Sequence, residues 1–475
     1  MIPFNQTKIV CTVGPASEKR ARMKQLILAG MDVMRLNFSH SNHAEHKRRL
    51  DTLKDLNDEL GTHVASLLDT RGPEVRTHCF KNGKTTIRSG SLVTIHMEEI
   101  EGGPDAFSVT YASLYKDLSI GCDIIVDDGY LTMEVTAIDE EKKTITARAN
   151  NTHTIKDRRG MNFPGCQLKL EFISSKDEDD IRWGVKEGVD FVAASFVRRR
   201  EDVESVKRVL TEAGGADIPV IAKIECQEGV ENLDAITDVA DGVMIARGDL
   251  GVEVPPEEVP IIQKQIIRTC HSKGKISITA TQMLESMQEN QRPTRAEVSD
   301  VANAVLDGAD AIMLSGESAI GKYPVESVDT MVRIGKRLER EIQRDEFIAR
   351  ASRHCTGTIA DNIALSVAHA VHQGQVDLVV APTVSGNTAR LLSRFRPNTM
   401  VLALVPTAKL ARKLALHSCL QPVPFSLPQD TETLIEMALG YILKNGFAKP
   451  GDRIVVTGGF PIGTPTNSFR IVELT

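Results

Sequence analysis

Residues 219–225 read Pro-Val-Ile-Ala-Lys-Ile-Glu, and residues 242–251 read Gly-Val-Met-Ile-Ala-Arg-Gly-Asp-Leu-Gly. Each starts as a short apolar run and finishes on charge: Lys223 and Glu225 in the first, Asp249 just past the second. Short continuous apolar runs suit strands buried on both faces, as in parallel sheets covered by helices. A lysine and two carboxylates thus arrive at the ends of successive buried strands. Carboxylate oxygens hold hard divalent cations, and an ammonium beside them can neutralise a transferring phosphoryl group. Taken alone, the same residues also fit structural ion pairs.

Outward from this stretch the strand-then-helix unit repeats. Lys8–Val13 is strand-like, with Ser17 placed to cap the next helix and Gly30 to end it. Val33–Phe38 is the next strand, followed by a helix from about Asn42 to Leu60 closed by Gly61, and Val64–Asp69 is the third. From about Arg71 to Leu168 the rhythm gives way to short alternating runs punctuated by Gly, Asp and Asn, a β-rich insertion. It resumes with a helix capped by Ser175, then strands at Phe191–Phe196, Pro219–Glu225, Gly242–Arg247, Ile276–Thr281 and Ala311–Gly316. Eight buried parallel-type strands predict a (β/α)8 barrel, with its site at the carboxyl ends of the strands. A polar helix over roughly Pro324 to Arg350 leads to a third unit. Its expected strands are Asp377–Pro382, Met400–Val405, Arg453–Gly458 and Phe469–Leu474. The expected organisation is a TIM barrel over 1–70 and 169–343, an inserted small β-barrel domain acting as a lid over 71–168, and a C-terminal α/β open-sheet domain over 344–475.

At 475 residues, 41% hydrophobic and 25% charged, the composition is that of an ordinary globular protein of about three domains. A net charge of −7 gives no electrostatic case for nucleic acid or an anionic membrane. The N-terminal residues lack a signal-peptide core, and no apolar run is long enough to span a bilayer. Eight scattered cysteines with no C-x-x-C pair fit reduced thiols in a cytoplasmic setting rather than disulfides or zinc.

If the barrel forms, polar residues converge on one mouth: Arg35, Asn37, Ser39 and His40 after strand two, and Asp69 and Thr70 after strand three. Strand five adds Lys223 and Glu225, strand six Gly248 and Asp249, strand seven Thr281 and Gln282, and strand eight Ser315 and Glu317. Buried charges are costly unless paired or bound to ions, and a site for an anionic substrate plus metal accounts for both signs. Asn37, Ser39, Asp69 and Thr70 are oxygen donors that suit a potassium ion and equally suit loop capping.

The same segments resemble the pyruvate kinase family. The resemblance is carried by Thr7-Lys-Ile-Val-Cys-Thr-Val-Gly-Pro-Ala-Ser17, Met34-Arg-Leu-Asn-Phe-Ser-His40 and Leu68-Asp-Thr-Arg-Gly-Pro-Glu-Val-Arg76. It continues through Ala222–Glu225, Ala246–Gly251, Ala280–Met287, Arg292–Glu297, Asp300–Asp310 and Met313–Glu317, in order along nearly the whole chain. It implies phosphoryl transfer from phosphoenolpyruvate to ADP, giving pyruvate and ATP. It further implies Mg2+ (or Mn2+) on Glu225 and Asp249, and Lys223 stabilising the phosphoryl group in flight. The carboxylate of the substrate is expected on the amides of Gly248 and Asp249 and the hydroxyl of Thr281, with Arg35 facing the phosphate. Asn37, Ser39, Asp69 and Thr70 are expected to hold K+, a dependence that goes with Glu74 in this family. Asn37, His40, Arg76 and Arg159 are nucleotide-side positions, although Arg71 and Arg159 stand where the family often has lysine. Thr281, Ser315 and Glu317 lie near the enolate to be protonated, where a water relay is expected and no single donor is assigned. A homotetramer is implied as well.

Thr383-Val-Ser-Gly-Asn-Thr388 follows a strand and opens a helix, so Thr383, Ser385, Gly386, Asn387 and Thr388 could cradle a phosphate; the plain alternative is a helix cap by Ser385. The resemblance makes this loop the holder of an activating sugar's 6-phosphate. Segment Thr457–Asn467 lacks the Trp and Arg that some fructose-1,6-bisphosphate-activated members show, so a sugar monophosphate or nucleotide monophosphate is also open. Four further patterns are read as structural. Gly316–Lys322 begins like a P-loop, but Tyr323 replaces the required hydroxyl residue. His43 and His46 are expected on a solvated helix start, Arg198–Arg200 at the exposed start of a helix, and Trp183 in the core. The competing functions are a metal-enolate lyase of the aldolase type and a catalytically silent metabolite sensor.

Overall fold

The computed structural model describes residues 3–374 and 376–475. Eight strands form the centre: β1 (Lys8–Thr12), β2 (Val33–Asn37), β3 (Ala65–Asp69), β4 (Phe191–Ala194), β5 (Val220–Ile224), β6 (Gly242–Ala246), β7 (Ile276–Ala280) and β8 (Ala311–Leu314). Each pairs in parallel with the next, and β1 pairs with β8 to close the barrel. Every strand residue except Asn37 is buried, which is why the strands read as unbroken apolar runs. Alternation sorts them into two cores. Ile9, Leu36, Leu68, Val192 and Ala222 face the surrounding helices. Val10, Val33, Leu67, Ala193, Ile221 and Met244 fill the barrel, together with Ala415 and Leu416 from the C-terminal unit.

The insertion builds a seven-stranded sheet and a two-stranded ribbon around its own core, in which Val93, Ile95, Phe107, Ile124, Met133 and Ile145 are fully buried. Gly72 marks the exit from the barrel. Its φ is +78°, and a Cβ there would sit 2.8 Å from Ser195 Cβ, so only glycine lets the chain pass this close to the site. The C-terminal unit is a five-stranded sheet of β9 (Leu378–Pro382), β10 (Val401–Val405), β11 (Leu420–Pro424), β12 (Arg453–Gly458) and β13 (Ser468–Glu473), in the order β11-β10-β9-β12-β13. Arg412 reaches from it to Asp190 at 2.8 Å, and Lys8 donates to the Leu420 carbonyl at 2.7 Å. Among the described residues, no helix is long and apolar enough to cross a membrane.

Several local expectations are corrected. Ser17 does not cap the first helix, which starts at Arg20; its hydroxyl accepts the Gly14 amide inside the preceding turn. The helix Ser175–Glu187 is capped by Ser174, one residue before the expected Ser175. The expected helix to Arg350 breaks into Pro324–Leu338 and Arg344–Ser352. Strand β11 went unread because Pro422 and Pro424 interrupt it, and an edge position tolerates them. His46 is 1% exposed and stacks on Phe38, while His43 stacks on half-buried Trp183 and bonds Asp180 at 2.6 Å. Neither His43 nor His46 is a solvated helix start. Arg199 and Arg200 are exposed as expected, whereas Arg198 is turned inward and donates to the Leu168 and Leu170 carbonyls. Lys322 is exposed and pairs with Glu289 rather than standing over a phosphate loop.

Candidate active site

Residues two apart on a strand share a face. One step above the apolar filling of Val33, Leu67, Ala193 and Ile221, that rule places Arg35, Asp69, Ser195 and Lys223 in one layer at the top of the barrel. Their polar atoms bond one another. Lys223 Nζ donates to Ser195 Oγ at 2.7 Å and to Asp69 Oδ1 at 3.0 Å, and stands 3.0 Å from Glu225 Oε1. Arg35 Nε donates to Asp69 Oδ2 at 2.6 Å, and its Nη1 to Thr12 Oγ1 at 2.9 Å. Burial favours a neutral Asp69, but the charges of Arg35 and Lys223 outweigh it and hold the carboxyl below its usual range. Burial likewise acts to deprotonate Lys223, and Asp69 and Glu225 outweigh it, so the ammonium is firmly charged.

The two other carboxylates are short of positive charge. Glu225 is raised to about 8 by burial, partly opposed by Lys223 and reinforced by Asp249 and Asp69. Asp249 is raised by burial too, with Lys223 opposing. Glu225 Oε2 accepts the Phe196 amide at 2.5 Å. A buried acidic pair with one shared ammonium is a donor set that fits a hard divalent cation. Asn37 and Asp69 are register partners on β2 and β3, with Ser39 and Thr70 just beyond, an all-oxygen set whose chemistry fits a monovalent cation. At present Asn37 Oδ1 accepts the Ser39 amide and Thr70 Oγ1 accepts the Ser195 amide, both at 3.1 Å.

The loop after β7 is strained. Thr281 and Gln282 have φ of +65° and +55°, a region that side chains with a Cβ rarely occupy. Arg247 holds it there. Its guanidinium donates to the Ala280 carbonyl at 3.3 Å and the Thr281 carbonyl at 2.7 Å, anchored by Asp300 at 2.6 Å. Thr281 Oγ1 meets the Gly248 amide at 2.7 Å, so the hydroxyl and the short helix Arg247–Glu253 are brought together. Among the described residues, Ser315 Oγ is buried with no bonding partner. Glu317 is buried and both its oxygens accept backbone amides, from Leu284 at 3.0 Å and Ser315 at 2.8 Å. It joins the loops after β7 and β8.

A cleft of about 350 Å³ separates the insertion from the barrel mouth. His40, Arg76 and Arg159 line it together with Glu74 and Asp249. Asn37 sits instead at the end of β2 beside Asp69. Glu74 accepts from Arg76 at 2.7 Å and Arg71 at 3.3 Å, and Arg159 lies 3.4 Å from Asp127. The 383–388 loop lies in the C-terminal unit. There Thr383 Oγ1 accepts the Gly386 amide at 3.0 Å, Thr388 bonds Thr466 at 2.8 Å, and Ser385 is exposed. Sequence reading missed Thr12, Ser195, Phe196 and Arg247. Ser195 was legible in principle, two positions past the inward Ala193; Arg247 was not, because its partners lie on other segments.

Residues 4–328 match the family described as "Pyruvate kinase, barrel domain", and residues 361–472 the one described as "Pyruvate kinase, alpha/beta domain". The chain is 47% identical over 456 residues to a pyruvate kinase of Bacillus licheniformis, covering 96% of this chain and 78% of the relative. It is 45% identical over 469 residues to one of Geobacillus stearothermophilus, covering 99% and 80%. A crystal structure of a pyruvate kinase from Cryptosporidium parvum superposes with a TM-score of 0.94 at 35% identity, covering 99% of this chain and 96% of that one.

Proposed function

Since the chain belongs to the pyruvate kinase family, a family of phosphotransferases, we propose that it transfers the phosphoryl group of phosphoenolpyruvate to ADP in the last step of glycolysis. The observation that carries this reading is the Lys223 ammonium, buried and oriented by Asp69, Ser195 and Glu225 at the barrel rim beside Asp249. Phosphoryl transfer asks a protein for positioning and charge neutralisation more than for covalent chemistry. Lys223 faces the phosphoryl oxygens as the bond to the enol oxygen breaks and the bond to the nucleotide forms. Arg35 binds the same phosphate. The Thr281 hydroxyl and the Gly248 and Asp249 amides receive the substrate carboxylate. A Mg2+ or Mn2+ on Glu225 and Asp249 supplies positive charge to substrate oxygens when bound. His40, Arg76 and Arg159 face the nucleotide across the cleft, and Asn37 serves it from the end of β2 beside Asp69. The enolate is protonated through water near Thr281 and Ser315, with Glu317 holding the two loops in place. Homotetrameric assembly and a cytoplasmic location belong to the same reading.

The test is pyruvate formation from phosphoenolpyruvate with and without ADP. Strictly ADP-dependent release supports the proposal; ADP-independent cleavage of another substrate would indicate a lyase, and no turnover a sensor. Three further outcomes are expected. Replacing all K+ and Na+ by tetramethylammonium should lower the rate about tenfold or more, because Asn37, Ser39, Asp69 and Thr70 lose their cation. Equal activity without any monovalent metal ion contradicts that assignment. Arg247→Leu should raise KM for phosphoenolpyruvate about tenfold or more, since an outlying backbone conformation persists only where neighbours over-determine it; steady-state kinetics with an unchanged KM would remove Arg247 from the site. The 383–388 loop is proposed to bind the phosphate of an activating sugar phosphate or nucleotide monophosphate. Thr383→Ala and Ser385→Ala should weaken half-maximal activation about tenfold, measured across fructose 1,6-bisphosphate, sugar monophosphates and AMP. Curves that do not move exclude a regulatory phosphate there.

A further inference from the structure

Two cysteines separated by 44 positions meet in the insertion, where the Cys166 thiol donates to Cys122 Sγ at 3.0 Å. All eight cysteines are free thiols, and no spacing motif announces this pair. Cys122 immediately precedes the strand Asp123–Val126 in the body of the insertion. Cys166 lies on the return segment that carries the chain back to the barrel, ahead of the helix Ser175–Glu187. Both are only half-buried against the insertion's core, so a small solute reaches either, and Cys166 also lines the cleft.

The chain is fastened to the barrel on both sides of Cys166, first at the last strand of the insertion's own sheet and then on the return segment. Asn162 Nδ2 donates to Glu253 Oε1 at 2.9 Å, and Arg198 donates to the carbonyls of Leu168 at 2.9 Å and Leu170 at 3.1 Å. The return segment meets the insertion at Cys166 and through the Lys169 amide, which donates to Asp117 at 2.9 Å. Between these fastenings the chain turns at Gly165, whose φ is +72°, and a swing of the insertion relative to the barrel would be taken up here and at the entering connection by Gly72.

We propose that Cys122 and Cys166 form a reversible oxidation site, at which a peroxide converts the two thiols to a disulfide that ties the return segment to the insertion and restrains its movement over the cleft. The two sulfurs stand about 1 Å beyond a disulfide bond length, so the bond forms with side-chain torsions and a small shift of the segment. Cys166 donates its S–H to Cys122 Sγ, an arrangement that favours Cys122 as the first nucleophile, and burial, then the bond to Cys122, pushes the Cys166 thiol up. The Cys122 sulfur takes one oxygen of hydrogen peroxide, the O–O bond breaks, and a sulfenic acid and one water result. The Cys166 sulfur then attacks the Cys122 sulfur; the S–O bond breaks and a second water leaves with the Cys166 proton. Two thiols have lost two electrons and two protons, and one peroxide has become two waters.

The test oxidises the full-length enzyme with hydrogen peroxide, then unfolds and alkylates it. The expected product has six of its eight thiols alkylated, a mass about 2 Da lower before alkylation, and one cross-linked peptide pair containing Cys122 and Cys166. Cys122→Ser and Cys166→Ser give no such pair. In the oxidised wild type, kcat/KM for ADP should fall about threefold or more, recover with dithiothreitol, and stay constant in either serine variant. Pairing with another cysteine, sulfinic acid at either position without a cross-link, or a complete cross-link with unaltered kinetics overturns the proposal. Only the kinetic part rests on the function proposed above. Untreated enzyme lacking ADP-dependent turnover would sink that function, whereas an active enzyme that fails to cross-link sinks this site alone.

Discussion

A Lys223→Met enzyme is expected to lose about three orders of magnitude in kcat, with KM for phosphoenolpyruvate changed less than about tenfold. The size follows from electrostatics. A unit charge 4 Å from developing negative charge contributes about 4 kcal/mol at an effective dielectric near 20, and each 1.36 kcal/mol is about a factor of ten in rate. Methionine preserves much of the side-chain volume and removes only the ammonium. The fold should survive, because the charges left behind have other outlets. Asp69 keeps Arg35 at 2.6 Å, and burial already favours the protonated form of Glu225, a preference that loss of Lys223 only strengthens. Steady-state kinetics beside a thermal melt checks both halves. Wild-type turnover in a purified, folded variant would remove Lys223 from the chemistry.

Glu225→Gln should lower kcat/KM about 100- to 1,000-fold and weaken Mn2+ binding about tenfold or more. The substitution is close to isosteric, and a glutamine oxygen can still accept the Phe196 amide that Glu225 accepts at 2.5 Å. What disappears is one ionisable acid of a buried pair that a single lysine opposes, and with it the negative charge a bound cation would draw out. Electron paramagnetic resonance of added Mn2+ reads the affinity without reference to turnover. Undiminished Mn2+ binding would show that Glu225 serves the lysine alone. A loss of binding matched by a loss of rate places the cation and the ammonium in the same site.

Legibility of the site followed the range of the interactions concerned. Arg35, Asp69 and Lys223 were visible as charges in the carboxyl-terminal part of apolar runs, because a strand delivers the residues of that end to the barrel mouth whatever its partners are. Glu317 was visible for the same reason, yet its carboxylate serves the backbone of two loops. Ser195 was passed over because a serine after Ala194 carries no charge to mark it, although it makes the shortest bond to Lys223 Nζ. His46 was misread because a histidine followed by Lys47 and Arg48 looks solvated; the ring is turned inward by stacking on Phe38, which belongs to another element.

The chain's own pattern determined the eight strand–helix units, the inserted β domain and the closing α/β unit, since apolar period and helix stops are local properties of consecutive residues. Tertiary structure alone decided which charges meet. Lys223 and Asp69 are 154 positions apart, and only the closed barrel sets their atoms 3.0 Å from each other. It also decided that Thr281 takes a left-handed backbone conformation under the grip of Arg247, and that Cys122 lies against Cys166. Such pairings depend on register between segments distant along the chain, and no short-range propensity encodes it.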